Sequence, residues 1–408
     1  VILAERCHPV QVPRFEPFRA LRYSPSVALD QVAAPPYDVL SDADVDAFAT
    51  RHPRNIVLVD VPREADGAGR YDLAARRLDG WRADGTLVLD DTPSFTLYRM
   101  RFTDDAGRAR ETVGVIGGLE VVDEGAPGVL PHERTTPKAK SDRLELTRAT
   151  RTNLSPVWGL SLATGLTELL APPAEPVGRV VDEEGVEHVV ERVSDPARVS
   201  AISAAIGAQP VVIADGHHRY AISRTYRDEV RSATSATDTP AELTMTYVAE
   251  LVAEQLSVEA IHRLFTGISP DELLDALSRS FDTMSTGPVG PTTLTEMASR
   301  GTLCLVRPDG TGVLLRPRPA AFAGVRDLDS ARLEHALAHV EHTVAYQHGV
   351  GHVVDAVTSG TATAGVLIRP VSVAEIRRTA DEGLLMPPKS TFFTPKLRTG
   401  VVLRPLTA

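Results

Sequence analysis

Cysteine is scarce in this chain of 408 residues: Cys7 and Cys304 are the two present, far apart and without metal-ligand spacing. One disulfide is formally allowed, but two free thiols in a reducing compartment is the reading their number favours. Long apolar runs are missing too. None approaches the roughly 20 residues a membrane helix needs, and the opening Val-Ile-Leu-Ala-Glu-Arg lacks a basic-then-apolar signal pattern. A soluble, cytoplasmic protein is expected. Basic excess is absent: the formal net charge is -11, with no long Lys/Arg run, which argues against nucleic acid as the partner. Internal repeats and low-complexity tracts are absent.

What remains is an ordinary globular composition, 43% hydrophobic and 24% charged, of a length that suits two or three domains. Residues 1–60 read as a β-rich opening with an N-capped helix at Ser41-Asp42-Ala43-Asp44 and a strand over 55–60. A helix is expected over 71–84. Residues 95–102 alternate with period two and pair with 112–122 in a hairpin. Helices are expected over 141–152 and 197–206, a strand over 187–193, and a helix after 216 with Ile222, Tyr226 and Val230 on one face. The C-terminal third mixes helices (270–280, 331–341) with strands (303–306, 312–315, 363–367). The expectation is a mixed α/β (α+β) fold in three parts: an N-terminal α+β domain (1–165), a central domain (166–265) and a C-terminal α+β domain (266–408).

The chemistry concentrates in Ala214-Asp215-Gly216-His217-His218-Arg219-Tyr220, which follows the apolar run Pro210-Val211-Val212-Ile213 and opens a helix. Unpaired N–H groups of a first helical turn favour anions. Gly216 permits a tight turn, and Arg219 can fork two phosphate oxygens. Asp215, His217 and His218 are candidates for proton transfer near neutral pH. The bland alternative is a capped turn whose histidines satisfy hydrogen bonds.

Three further stretches carry candidate groups. In 131–143, Glu133 is a candidate base, and His132, Lys138 and Arg143 are candidate phosphate contacts. The zinc-protease pattern fails because position 136 is Thr. At Pro36-Tyr37-Asp38, the prolines would hold Tyr37 and Asp38 against a ligand, or merely shape a turn. Lys389-Ser390-Thr391 follows a diproline; it is not a phosphate-binding glycine loop, since Pro388 precedes the lysine, but it can contact an anion. Gly349-Val350-Gly351-His352 is a partial dinucleotide echo that lacks a third glycine and a clear preceding strand. His132, Glu133, Asp215, His217, His218 and His262 are metal-ligand types without a fixed ligand spacing.

Four segments together resemble the bacterial and archaeal domain-of-unknown-function 1015 family (DUF1015). They are Pro35-Pro36-Tyr37-Asp38-Val39; His132-Glu133-Arg134-Thr135 with Lys138, Asp142-Arg143 and Asn153-Leu154-Ser155-Pro156; the ADGHHRY segment; and Met386-Pro387-Pro388-Lys389-Ser390-Thr391-Phe392-Phe393 with Pro395-Lys396-Leu397. The stretch from Gln209 to Ala221 also looks like the strand, glycine, basic pair and helix of the ParB/sulfiredoxin superfamily, one branch of which contains free-serine kinases. That likeness implies phosphate contacts at Gly216, His218 and Arg219. His217 stands where sulfiredoxins carry a reactive cysteine, so their chemistry is not implied.

The leading expectation is a small-molecule phosphotransferase or phosphohydrolase acting on a nucleotide or phosphorylated metabolite. Mg2+ would arrive with ATP or ADP, and an amino-acid hydroxyl such as that of serine is the first acceptor to try. The alternatives are a nucleotide-responsive binding protein without turnover, and a metal-dependent hydrolase.

Overall fold

The computed structural model describes residues 12–104, 108–133 and 140–407. The chain divides into two compact units: 1–256 with 395–408, and 257–394. The fold is mixed α/β.

The first unit is built on a nine-stranded mixed sheet. Its order is Val129–Pro131, Val211–Asp215, Val157–Ser161, Leu243–Glu250, Ala109–Glu120, Phe95–Thr103, Glu187–Val193 and Glu175–Val181, with Phe15–Glu16 pairing beside Ala109–Glu120. The Phe95–Thr103/Ala109–Glu120 hairpin forms as the alternation predicts. The expected boundary at 165/166 does not separate sheets, since Val157–Ser161 pairs with Val211–Asp215 and Leu243–Glu250. The boundary at 265/266 falls inside the strand Ile261–Thr266. Strand pairing over long sequence separations decides the units.

The N-terminal stretch is more helical than expected. Residues 55–60 do not form a strand: Asn55 is buried, its Oδ1 accepts the Val57 N–H at 3.1 Å, and Val57–Asp60 is one helical turn. A short apolar run is ambiguous between a strand and a buried turn, and here the asparagine side chain starts the turn. The Ser41 cap is present, with a reciprocal bond to Asp44. The helix of the DGHHR motif runs from His217 to Thr234. Its buried residues are Tyr220, Ile222 and Arg227, while Tyr226 and Val230 are half-buried. Arg227 can be buried because it bonds the Val121 carbonyl and Asp123.

The second unit holds a six-stranded antiparallel sheet, ordered Phe281–Pro288, Thr311–Pro317, Leu303–Val306, Ala364–Leu367, Ile261–Thr266 and Thr343–His348. A strand does precede the Gly349-Val350-Gly351-His352 segment, namely Thr343–His348, and the helix Val350–Thr358 follows it. Cys304 is a buried free thiol on the central strand Leu303–Val306, its pKa pushed up to about 12 by burial. Cys7 lies outside the described residues.

Candidate functional site

The strand Val211–Asp215 is buried through Ala214 and releases the chain at Asp215. Gly216 then turns it with φ +84, the left-handed region, and the helix starts at His217. A Cβ on Gly216 would stand 2.9 Å from Arg219 Nε and 3.0 Å from Cζ. Glycine is therefore required twice here, for the backbone angle and for the guanidinium lying over it.

Asp215 is the hub. Its Oδ1 accepts the Gly216 N–H at 2.7 Å, and its Oδ2 takes Lys396 Nζ at 2.9 Å, with Arg219 Nη2 at 3.6 Å. Burial alone would raise this carboxyl, but Lys396 and Arg219, with the two hydrogen bonds, hold it well below the usual carboxylate range. Arg219 Nη1 donates to the Pro156 carbonyl. Burial opposes the Arg219 charge, and Asp215, Asp38, Tyr37 and Asp60 together more than restore it.

Beside this cluster stands a second ion pair. Arg143, from the helix Lys140–Thr150, donates to Asp60 Oδ1 at 3.0 Å and to the Asp60 carbonyl, and its guanidinium covers the Tyr37 ring at 4.1 Å. Asp60 is 2% exposed. Its Oδ2 has no hydrogen-bond partner among the described residues. Burial raises its pKa, against the pull of Arg143 and Arg219. Two carboxyl groups of one site are thus pushed in opposite directions.

Two cavities meet at Arg219 and Ser155. The larger, about 50 Å³, is walled by Asp60, Arg143, Asn153, Ser155, Ser223 and Thr244 among others. The smaller, about 10 Å³, lies among Pro36, Trp158, Asp215 and Lys396. The larger has room for roughly three or four waters, or the end of a small ligand. Arg143, Arg219 and Lys396 bring three cations to the cavities, set against the carboxylates Asp60 and Asp215 and the exposed Asp38 and Asp142, the last 3.5 Å from Arg143 Nε.

The other expected residues fall as follows. His132 is fully buried; its Nδ1–H donates to the Ile213 carbonyl at 2.5 Å, and burial lowers its pKa to about 4, so it is a neutral imidazole at pH 7. Its ring centroid lies 5.0 Å from that of His217, and Glu133 Oε2 is 3.9 Å from its Nε2. His218 is half-buried in the first turn of the helix. Lys138, with Arg134 and Thr135, lies outside the described residues. Lys389, Ser390 and Thr391 belong to the second unit. There the Arg263 guanidinium takes the Lys389 carbonyl at 3.1 Å, and the buried Ser390 hydroxyl donates to the Pro387 carbonyl at 2.7 Å and lies 3.0 Å from Ser330 Oγ. Among the described residues no group of three or more His, Cys, Asp or Glu side chains is arranged to hold a metal ion, and no helix is long and apolar enough to cross a membrane.

The family comparison agrees with the motif set. The model for a protein of unknown function, DUF1015, matches residues 15–331. The chain belongs to this family. No curated protein matches it. Among solved structures, this DUF1015 member is similar to a conserved hypothetical protein from Pyrococcus furiosus (13% identity, TM-score 0.36, covering 65% of this chain and 87% of that one). It is also similar to a mutant free serine kinase in complex with AMP (13%, 0.38, 65% and 83%) and to a C-terminally truncated SbnI from Staphylococcus aureus (11%, 0.37, 70% and 85%). Likenesses this slight carry no argument about function.

Two residues of this DUF1015 site, Asp60 and Lys396, were not among the expected site residues. Lys396 had a signal: the whole chain has four lysines, at 138, 140, 389 and 396. Where arginine serves nearly every other cationic position, a lysine stands out. Asp60 had none, since it closes an apolar run that reads as core.

Proposed function

We propose that the first unit binds the phosphate end of a nucleotide or phosphorylated metabolite at the Asp215–Arg219 turn, and transfers a phosphoryl group to a small acceptor or to water. The observation that carries this reading is the cavity pair meeting at Arg219, with the cationic side chains Arg143, Arg219 and Lys396 in its walls. Phosphoryl transfer asks a protein mainly for positioning and charge neutralisation, and those are what such groups supply. The left-handed Gly216, the helix beginning at His217 and the guanidinium over the turn also support reading Val211–Thr234 as a ParB/sulfiredoxin-like phosphate grip.

Within this reading Asp215 is a counter-ion rather than a base, because its Lys396 and Arg219 partners make it a weak proton acceptor at neutral pH. Magnesium would enter on the nucleotide phosphates, as is common where a protein offers few carboxylates of its own. The test is a thermal-shift titration with ADP, ATP and inorganic phosphate, with and without magnesium, followed by assay of phosphate release. A melting rise with at least one of these and release above background support the reading. No shift and no release with any of them would sink it. A shift without release would instead favour a nucleotide-responsive binding protein, since the same cationic walls serve binding alone.

A further inference from the structure

Asp60 has a property that pairing with Arg143 does not use. One carboxylate oxygen is taken by the guanidinium at 3.0 Å, which fixes the group's orientation, and the other has no hydrogen-bond partner among the described residues although the side chain is buried. A buried acceptor left unmatched is costly, so a residue of this kind at a cavity wall points to a missing donor. The same cavity mixes the polar Asn153, Ser155, Ser223 and Thr244 with the apolar Leu146, Leu154 and Ile222, and it touches Arg219, which also borders the smaller cavity beside Lys396. Arg219 thus borders both cavities.

We propose that the larger cavity is the acceptor pocket, that it takes the hydroxyl-bearing end of a small alcohol or a water molecule, and that Asp60 Oδ2 removes the hydroxyl proton. The inference rests on the phosphoryl-transfer reading above. In the step, the acceptor oxygen uses a lone pair to form the new O–P bond to the terminal phosphoryl group of a nucleoside triphosphate. The bridging P–O bond breaks and its electron pair leaves with the nucleoside diphosphate. The acceptor proton passes to the Asp60 carboxylate and is returned to solvent once the product departs. Arg143 keeps the carboxylate in place through its other oxygen, and Arg219 offsets charge on the phosphoryl oxygens. Asp60 is suited to this because Arg143 holds one of its oxygens while the other accepts no hydrogen bond among the described residues, whereas both Asp215 oxygens are taken.

The experiment compares the full wild-type chain with Asp60→Asn. ATP with magnesium is supplied in water alone, with glycerol and with L-serine, and both phosphate release and transfer are counted; ADP binding is read by thermal shift. The expected result is a loss of total turnover of about 100-fold or more in the variant, with the ADP-induced melting shift kept within about a degree of wild type. Equal turnover in the two proteins overturns the inference and leaves the phosphoryl-transfer reading intact. Loss of the ADP shift in a folded Asp60→Asn protein overturns it as well, by placing Asp60 in nucleotide binding. Wild-type protein that binds ADP but turns over no ATP in any of the three mixtures contradicts the proton-transfer role while leaving binding. No wild-type binding and no turnover refutes the parent reading itself. Because the Asp60→Asn change would strand the Arg143 charge in the interior, Arg143→Met and the double variant Asp60→Asn/Arg143→Met are measured alongside; if the single Asp60 variant does not fold, a further loss of turnover of about 100-fold from Arg143→Met to the double variant supports the inference, and equal turnover in those two overturns it.

Discussion

Lys396 Nζ lies 2.9 Å from Asp215 Oδ2, across 181 residues of sequence. The C-terminal segment 395–408 belongs to the same compact unit as the DGHHR turn, so the last motif of the chain completes the central one. Replacing Lys396 with Met would leave Asp215 half-buried with Arg219 as its remaining cationic partner, and would remove one of three cations. ADP affinity is expected to fall about 10- to 100-fold, with Lys396→Arg recovering part of it. Calorimetric titration of the three proteins checks this; equal affinities would remove Lys396 from the site.

Gly216→Ala should be tolerated by the fold but not by the site. The left-handed angle costs roughly 1–2 kcal/mol with a β-carbon, and the new atom would sit 2.9 Å from Arg219 Nε, pushing the guanidinium away. The expected outcome is a melting temperature lowered by a few degrees together with loss of the ADP-induced shift. A variant that keeps the full shift would show that Arg219 has no fixed place over the turn.

Tyr98 anchors the segment that carries Lys396. Its hydroxyl accepts the Arg398 N–H at 3.0 Å and lies 2.8 Å from His188 Nδ1, while His188 Nε2 meets Asp182 at 2.9 Å. Tyr98, His188 and Arg398 are buried, and the Asp182 side chain is nearly so. Tyr98→Phe strands these groups and should cost about 1–3 kcal/mol of stability. Denaturant unfolding reads the loss, and ADP binding should weaken with it because the 395–398 backbone is released.

Acid should destabilise both units before the carboxylates protonate. His132 in the first unit and His262 in the second each have a pKa lowered by burial to about 4. The unfolded chain takes up these protons below about pH 6.5, whereas the folded chain does not until about pH 4. Stability is therefore full above pH 6.5 and falls as pH drops from 6.5 to 4, by about 3 kcal/mol for each histidine. Urea unfolding across that window measures it, and His132→Gln should flatten the part due to the first unit. A flat profile for the wild type would contradict the burial of these imidazoles.

Much of the fold was legible because local pattern and tertiary role agreed. The strand Glu187–Val193 and the hairpin of Phe95–Thr103 follow directly from alternation. The same hairpin also shows where pattern fails. Thr96 and Arg99 lie on opposite faces of the strand, yet both are buried, Thr96 under Arg22 and Arg99 against Glu191 at 2.8 Å. Their partners lie more than 70 residues away, beyond any local window. The site divides in the same way. Asp215, Gly216 and Arg219 were readable from residue types at a strand-to-helix junction. Asp60 and Lys396 reach that junction only through tertiary contacts, and the Asn55-initiated turn hid Asp60 in what reads as a strand. Ser390 is a buried donor to the Pro387 carbonyl.

The most direct test of the account is calorimetric titration of ATP with magnesium into wild-type protein and into Arg219→Ala, at matched salt. The account predicts saturable binding to the wild type and an affinity at least about 100-fold weaker in the variant, since a buried guanidinium at both cavities is removed. Binding of equal strength to the two proteins, or none to the wild type, would contradict it.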